Sequence, residues 1–213
     1  MKLNYDGLIF DMDGVLVDVS RSYREAIRQT ASYFLNRNVS MNEVTEIKNK
    51  TGMNNDWDAT IALINNKKIS FKSVKKYFQS LYLGNKNTSG LIDNEKLLIS
   101  KMMLVKLKKK YKKIAIATGR PRKEAEYVMK KNMLQRVFDC LIARENVKRD
   151  KPAPESIIKV IEILGLNNTV YIGDSPSDVS AAKNAGIPSI YVGDQNIGTM
   201  RFPTILQVIK YLL

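Results

Sequence analysis

Residues 8–18 read L-I-F-D-M-D-G-V-L-V-D, and the rest of the chain is organised around them. The apolar run Leu8–Phe10 has the length and composition of a buried strand. It ends at two carboxylates, Asp11 and Asp13, which repel each other and do not cap a strand. Such a conflict between local sequence and folding indicates a functional site. The alternative is an Asx-type turn that simply ends the strand.

Buried apolar runs alternate with helical stretches from residue 113 onward. The predicted strands and helices are, in chain order, strand 114–117, helix 122–131, strand 138–142, helix 154–164, strand 169–172, helix 177–185, strand 188–192 and helix 204–212. This order predicts an α/β fold with a doubly wound parallel sheet, which the first strand joins from a distance.

Residues 17–89 lack this alternation and predict an inserted all-α subdomain, leaving 1–16 and 90–213 as the α/β core. The predicted elements of the inserted subdomain are a helix 21–35 capped by Asp18 or Ser20, helices 41–50, 56–64 and 71–83, and a flexible return at 84–90. A long Lys-rich helix is then predicted to start at Asp93 or Asn94.

The composition is that of an ordinary globular protein. Of the 213 residues, 44% are hydrophobic and 26% are charged, and no apolar run approaches the ~20 residues of a membrane span. The first residues lack the pattern of a signal peptide, so we expect a cytoplasmic protein without a membrane partner.

The chain contains no histidine and a single cysteine. The absence of histidine excludes Ser-His and Cys-His nucleophile schemes and a His-bound zinc. A single cysteine excludes an internal disulfide, and Cys140 is expected to be a small core residue. Acid–base chemistry must therefore come from Asp, Glu, Lys or Tyr.

The net charge of +14 would suit a phosphorylated partner or nucleic acid. The densest basic run is Lys106–Lys113. Leu97, Leu104, Leu107 and Tyr111 fall on one helical stripe, so the lysines form the solvated back of an amphipathic helix. No nucleic-acid fold signature accompanies them, which makes nucleic acid the less favoured partner.

Three predicted strands end in polar, reactive residues. Asp11 and Asp13 follow the first, 118–120 (T-G-R) the second, and 173–178 (G-D-S-P-S-D) the third. Ligands of open α/β sheets bind at the carboxyl ends of strands, so these groups should meet at one edge. Lys151, in a loop before a helix, can reach the same edge.

The residue types at this edge suit a phosphoryl group. Asp11 and Asp174 can bind a hard cation such as Mg²⁺, which prefers oxygen ligands. Thr118 and the Gly119 amide can hold anionic oxygens, and Lys151 adds a positive charge. One carboxylate then remains to attack phosphorus and form an aspartyl-phosphate.

Four segments resemble the four motifs of the haloacid dehalogenase superfamily, in that family's order and across the whole core. They read D-M-D-G-V-L-V-D at 11–18, A-T-G-R at 117–120, K-P-A-P-E at 151–155 and G-D-S-P-S-D-V-S-A-A-K-N-A-G-I at 173–187. The insertion resembles the helical cap of phosphoglycolate phosphatase-like members.

The resemblance implies catalytic and metal-binding roles. Asp11 becomes the nucleophile and a Mg²⁺ ligand together with Asp174. Asp13 becomes the general acid/base, and its main-chain carbonyl binds the metal. Lys151 neutralises charge between nucleophile and phosphate, and Asp178 supports the metal site from behind. The alternative for Asp174 or Asp178 is that either merely caps the following helix.

Substrate-binding roles are predicted for three core and three cap residues. The resemblance implies that Thr118 and Gly119 bind the phosphoryl group. Arg120 is either a substrate contact or a salt-bridging surface residue. The cap residues Asn54, Asn55 and Trp57 either face the substrate or form a helix N-terminus with the tryptophan as core.

The predicted function is a Mg²⁺-dependent phosphatase that acts on a small phosphorylated metabolite through an aspartyl-phosphate, similar to phosphoglycolate phosphatase. The acid at Asp13 argues against a dehalogenase, which lacks it. The alternatives are a phosphosugar phosphatase or mutase and, in a different class, a non-catalytic basic protein that binds nucleic acid. The capped mutases use a hinge histidine, which this chain lacks.

Overall fold

A computed structural model of the protein describes residues 5–48, 50, 53, 55–85 and 87–213. The chain divides into two compact units, Met1–Asp18 with Leu97–Leu213 and Val19–Lys96. Below, these are called the core unit and the inserted unit. That the inserted unit acts as a cap stays a prediction.

The core unit is built on a parallel sheet. The strands of the described chain are β1 (Gly7–Phe10), β2 (Val17–Asp18), β3 (Gly84–Asn85), β4 (Thr88–Ser89), β5 (Lys96–Leu97), β6 (Lys113–Ala117), β7 (Cys140–Ile142), β8 (Thr169–Gly173), β9 (Ser189–Val192) and β10 (Met200–Phe202). Six of them form one sheet in the order β10-β9-β8-β1-β6-β7, with every pair parallel. This confirms the predicted doubly wound α/β fold.

The helices lie between and after these strands. They are α1 (Tyr23–Leu35), α2 (Met41–Lys48), α3 (Asp56–Ile64), α4 (Phe71–Leu83), α5 (Lys101–Lys110), α6 (Arg122–Lys131), α7 (Glu155–Leu164), α8 (Pro176–Asn184) and α9 (Ile205–Leu212). Hydroxyl side chains cap several of them. Ser70, Ser100 and Thr204 each accept a hydrogen bond from the amide three residues ahead.

The sheet is buried because β1 and β8 are continuous apolar runs. Every residue of both strands is buried, as expected for a parallel sheet covered on both faces. β1 lies in the centre, where Phe10 pairs with Ile116 of β6 and with Ile172 of β8. The three strand ends that the sequence singled out are therefore aligned side by side.

The Lys-rich helix begins later than predicted. α5 starts at Lys101, where Ser100 supplies the cap, and not at Asp93 or Asn94. The segment Leu91–Asn94 forms a short 3-10 helix, and β5 pairs with β2 in a separate two-stranded sheet. Of the predicted stripe, Leu104, Leu107 and Tyr111 are buried, whereas Leu97 lies in β5 outside the helix.

Two further differences concern the inserted unit. α1 begins at Tyr23, so neither Asp18 nor Ser20 is its cap; the cap position is Ser22, whose hydroxyl instead donates to Glu95. The predicted flexible return at 84–90 contains the antiparallel pair β3–β4, which adds a small hairpin to the helices. Gly84 has φ +69, and a Cβ there would lie 2.2 Å from the Thr88 carbonyl oxygen.

Cys140 is half-buried on β7, an edge strand of the sheet, where it packs against the hydrophobic core but is not fully buried within it. Burial raises the pKa of its thiol. The sequence also missed β10, which adds the opposite edge of the sheet. Among the helices of the described chain, none has the length and apolar character to cross a bilayer. The cytoplasmic location stays a prediction.

Candidate active site

The site lies where β1, β6 and β8 end. Asp11 directly follows β1, Thr118 follows β6, and Asp174 follows β8. The Asp11 amide continues the ladder by donating to the Ile172 carbonyl (2.8 Å). The parallel register thus places at one edge the three segments that the sequence placed there.

Lys151 links the buried acids of the site. Its Nζ lies 3.0 Å from Asp11 Oδ1 and 2.6 Å from Asp178 Oδ1, and it donates to the Tyr171 hydroxyl (2.9 Å). Burial by itself lowers the pKa of Lys151, but the carboxylates of Asp11 and Asp178 outweigh it and hold the pKa well above its usual range. Lys151 therefore stays a cation in this site.

Tyr171 is a site residue that the sequence analysis missed. It is fully buried on β8; its hydroxyl donates to the Ala117 carbonyl (2.9 Å) and lies 3.2 Å from Asp178 Oδ1. Burial, then the Asp178 carboxylate, raises its pKa well above the usual value, so the phenol keeps its proton. A tyrosine in the predicted buried strand, two residues before G-D, was the available signal, because a buried hydroxyl needs a partner.

Asp178 caps the following helix, as one alternative predicted, and it also contacts Lys151, while its support of a metal stays a prediction. Through Oδ2 it forms a capping box with Ser175 at the start of α8, accepting from the Ser175 amide (3.1 Å) and hydroxyl (2.7 Å). Through Oδ1 it contacts Lys151. It approaches the chain so closely that a Cβ on Gly173 would lie 2.3 Å from the Asp178 Cβ. Asp178 therefore orients Lys151 from behind the site.

Asp174 packs against the loop that follows β1. Gly14 has φ +72, and a Cβ there would lie 1.8 Å from Asp174 Oδ2. Only glycine leaves room for this carboxylate, which explains the glycine after Asp11 and Asp13. Burial, together with the nearby carboxylates of Asp178 and Asp11, raises the pKa of Asp174 well above its usual range.

The acids of the site fit a hard cation. Asp11, Asp174 and Asp178 each offer a carboxylate oxygen, and these oxygens lie within 4.8 Å of one another. Among the described residues none meets the geometric criteria for a hydrogen bond to Asp11 Oδ1, although the Lys151 Nζ lies 3.0 Å from it. Burial raises the pKa of Asp11 to about 7 despite the Lys151 cation, and a divalent ion would favour the charged form.

The T-G-R segment after β6 differs from the prediction at Arg120, and phosphate binding by Thr118 and Gly119 stays a prediction. Thr118 is buried and its Oγ1 accepts from the Arg120 amide (3.2 Å), whereas Gly119 is exposed and open space lies where a Cβ would point. Arg120 is not the surface residue that one alternative predicted: it is 2% exposed, and its Nε donates to Asp13 Oδ1 (2.8 Å).

The predicted cap residues belong to the inserted unit. Asn54 lies outside the described residues. Asn55 is the N-cap of α3 and accepts from the amides of Trp57 (2.9 Å) and Asp58 (3.3 Å). Trp57 is half-buried beneath the Lys75 ammonium, 3.8 Å from the ring centroid, and so is not the fully buried core residue of the structural alternative. A role in substrate binding stays a prediction for all three.

A comparison with known families decides the identity. The family described as haloacid dehalogenase-like hydrolase matches residues 8–192. This chain belongs to the haloacid dehalogenase-like hydrolase family. The family match confirms the predicted superfamily and places all four motifs within the matched region.

Individual relatives agree with the family. The chain is 31% identical, over 87% of its length and 84% of the relative's, to a phosphorylated carbohydrates phosphatase of Thermotoga maritima. It is 34% identical over 84% of its length to an imidazoleglycerol-phosphate dehydratase of Phytophthora nicotianae, but spans only 41% of that protein. The first relative's name agrees with the predicted phosphoric monoester hydrolase.

The fold of the haloacid dehalogenase-like hydrolases is also seen in solved structures. A predicted phosphoglycolate phosphatase from Haemophilus somnus 129pt matches with a TM-score of 0.79 and 19% identity, over 98% of both chains. At this identity the likeness concerns the fold, including the helical insertion. The roles of the individual site residues stay predictions.

Proposed function

We propose that this protein is a Mg²⁺-dependent phosphatase that hydrolyses a small phosphomonoester through a phosphorylated Asp11. The observation that carries the proposal is the buried Asp11 carboxylate at a strand end, with the Lys151 ammonium 3.0 Å from it and Asp174 beside it. A nucleophile, a fixed cation and a second carboxylate at one edge are what phosphoryl transfer to an aspartate needs.

Asp11, Asp174 and the main-chain carbonyl of Asp13 would hold the Mg²⁺. When bound, the ion neutralises negative charge on the carboxylates and on the phosphoryl oxygens. Thr118 and the Gly119 amide are proposed to bind those oxygens as well. Lys151, held by Tyr171 and Asp178, supplies a permanent positive charge next to the attacking oxygen.

The reaction proceeds in two halves. In the first, an Asp11 oxygen attacks phosphorus, the bond from phosphorus to the ester oxygen breaks, and Asp13 gives its proton to the departing alcohol. In the second, a water oxygen attacks phosphorus and Asp13 takes the water's proton. The bond from phosphorus to Asp11 then breaks, so inorganic phosphate leaves and both carboxylates return to their starting state.

The substrate is proposed to be a small phosphorylated metabolite. Phosphoglycolate-like compounds are suggested by the motif resemblance. Phosphorylated sugars are the second candidate, favoured by the Thermotoga maritima relative. A sugar mutase is less favoured, because the chain contains no histidine to serve at a cap hinge.

The test is phosphate release by the purified protein from 4-nitrophenyl phosphate and from a panel of phosphometabolites. We expect turnover with Mg²⁺ and none in excess chelator. Ca²⁺ should inhibit, because it accepts more oxygens at longer distances and can occupy both oxygens of Asp11. Full activity in chelator, or equal rates with Ca²⁺, would contradict the metal role. A folded protein that releases phosphate from no compound would refute the function.

A further inference from the structure

Arg120 is a long cationic side chain held at a fixed place in the core unit. Its guanidinium is fully buried, with Nε 2.8 Å and Nη2 2.5 Å from the same oxygen, Asp13 Oδ1. Its backbone is anchored too: the amide donates to Thr118 Oγ1, and the carbonyl accepts from the Arg144 amide (3.1 Å). Burying an arginine is costly unless it is paired, so this pairing is a built feature of the site.

We propose that Arg120 is a positioning residue that holds the Asp13 carboxyl group in place for proton transfer with the leaving group. The proposal rests on the proposed function, in which Asp13 is the general acid and base. Two nitrogens of a rigid planar group on one oxygen restrict the rotation of a side chain that is otherwise 30% exposed. Proton transfer depends on such placement, since donor and acceptor must come within hydrogen-bond reach.

The charge of Arg120 acts in the same direction as its geometry. When Asp13 gives its proton to the ester oxygen, a carboxylate remains, and the buried guanidinium stabilises that carboxylate by a charge-assisted hydrogen bond. An arginine stays protonated in proteins, so Asp13 keeps the same fixed hydrogen-bond partner in both halves of the reaction. Arg120 itself transfers no proton and forms no bond to phosphorus.

A positioning role predicts a selective defect. An alkyl phosphate leaves as a basic alkoxide that needs the Asp13 proton, whereas 4-nitrophenolate leaves without one. Loss of Arg120 should therefore impair alkyl phosphates much more than aryl phosphates. A residue that contacts the phosphoryl group would affect both equally, because that group is common to both substrates.

The experiment compares kcat/KM for glycerol 2-phosphate and 4-nitrophenyl phosphate, both with Mg²⁺. In Arg120→Met we expect a loss of ~10²-fold for the alkyl ester and a several-fold smaller loss for the aryl ester. Arg120→Lys, which keeps a charge but not the planar fork, should recover part of the difference. The matched control is Arg122→Met, since Arg122 contacts Glu126 and Asn146 instead; its ratio of the two substrates should stay that of the wild type.

A double variant tests whether Arg120 acts through Asp13. Asp13→Asn combined with Arg120→Met should be no slower on the alkyl ester than Asp13→Asn alone. Parallel losses on both substrates, or additive losses in the double variant, would overturn the proposal. Should Arg120→Met fail to melt cooperatively, the same double variant is made with Arg120→Lys and judged by the same criteria. If the wild type is inactive on glycerol 2-phosphate, the best alkyl phosphate of the metabolite panel takes its place; a folded wild type that releases phosphate from no compound would instead refute the proposed function, independently of Arg120.

Discussion

Each of the two units contains a buried carboxylate, but the hydrogen-bond partners of the two carboxylates differ. Asp11 of the core unit is 7% exposed, has an oxygen without a hydrogen bond from the described residues, and has its pKa raised by burial to about 7. Glu95 of the inserted unit is 4% exposed, and its Oε1 accepts from the hydroxyls of Ser22 (2.7 Å) and Tyr82 (2.9 Å).

The difference is the one expected between a buried acid with a functional role and one with a structural role. Glu95 lies near the end of the inserted unit, and its carboxylate joins this end to Ser22 near the start of the unit and to Tyr82 of α4. The rings of Tyr23 and Tyr82 stack next to this contact (4.3 Å between centroids). Neutral hydroxyl donors satisfy the Glu95 carboxylate, as expected of a group that stabilises a fold. Asp11 is surrounded by other charges and lacks such donors, which leaves it available for chemistry at a cost in folding stability.

The largest expected effect is that of Asp11→Asn. The substitution is nearly isosteric, so the protein should fold and keep a melting temperature close to that of the wild type. Turnover should fall by ~10⁴-fold or more, because an amide oxygen cannot replace the carboxylate nucleophile. Steady-state kinetics and thermal melting, run side by side, give the result. Near-normal activity in the folded variant would remove Asp11 from the mechanism.

Glu95→Ala should show the reverse pattern. Two buried hydroxyls lose their acceptor, and each loss costs ~1–3 kcal/mol, so the free energy of unfolding should fall by ~2–6 kcal/mol. Glu95→Gln keeps an oxygen acceptor and is the matched control, with a smaller loss. Urea unfolding measures both. If Glu95→Ala is as stable as the wild type, the contrast between the two carboxylates fails.

Tyr171→Phe removes one hydroxyl and leaves the ring that fills the core. Lys151 then loses one partner but keeps Asp11 and Asp178, so kcat should fall only ~10-fold, equivalent to the ~1.4 kcal/mol of one hydrogen bond to a charged group. Because Tyr171 is expected to act through Lys151, Lys151→Met should lower kcat much more than Tyr171→Phe does. Adding Tyr171→Phe to Lys151→Met should then cause no further loss of kcat. A double variant slower than Lys151→Met alone would show that Tyr171 acts independently.

Asn55 and Trp57 should give the smallest effects. Asn55→Ala removes the α3 cap and should lower the free energy of unfolding by ~1 kcal/mol, whereas Asn55→Asp keeps the cap.

Trp57→Phe should change the preference among metabolites more than the melting temperature, while hydrolysis of 4-nitrophenyl phosphate persists. If both substrates fall together with the melting temperature, Trp57 is a structural residue of the inserted unit.

The contrast also marks which inferences a sequence can support. Apolar runs ending in D-M-D, T-G-R and G-D predicted parallel strands whose ends meet, because a fully buried strand must pair on both sides. The structure brings Asp11, Asp174 and Lys151 together at those strand ends, as expected. Helix ends were less accurate where a hydroxyl had a distant partner, as with Ser22, whose Glu95 contact spans 73 residues.

The residue types, their order and the chemistry they permit were thus determined by the sequence alone. The tertiary structure decided which polar groups are buried and what they contact. Arg120 and Asp13 are 107 residues apart, and the partners of the Tyr171 hydroxyl, Lys151 and the Ala117 carbonyl, come from distant segments that no local pattern specifies. The physical reason is that burial and hydrogen-bond partners are set by segments distant in the chain, whereas local patterns report only the period of a helix or strand.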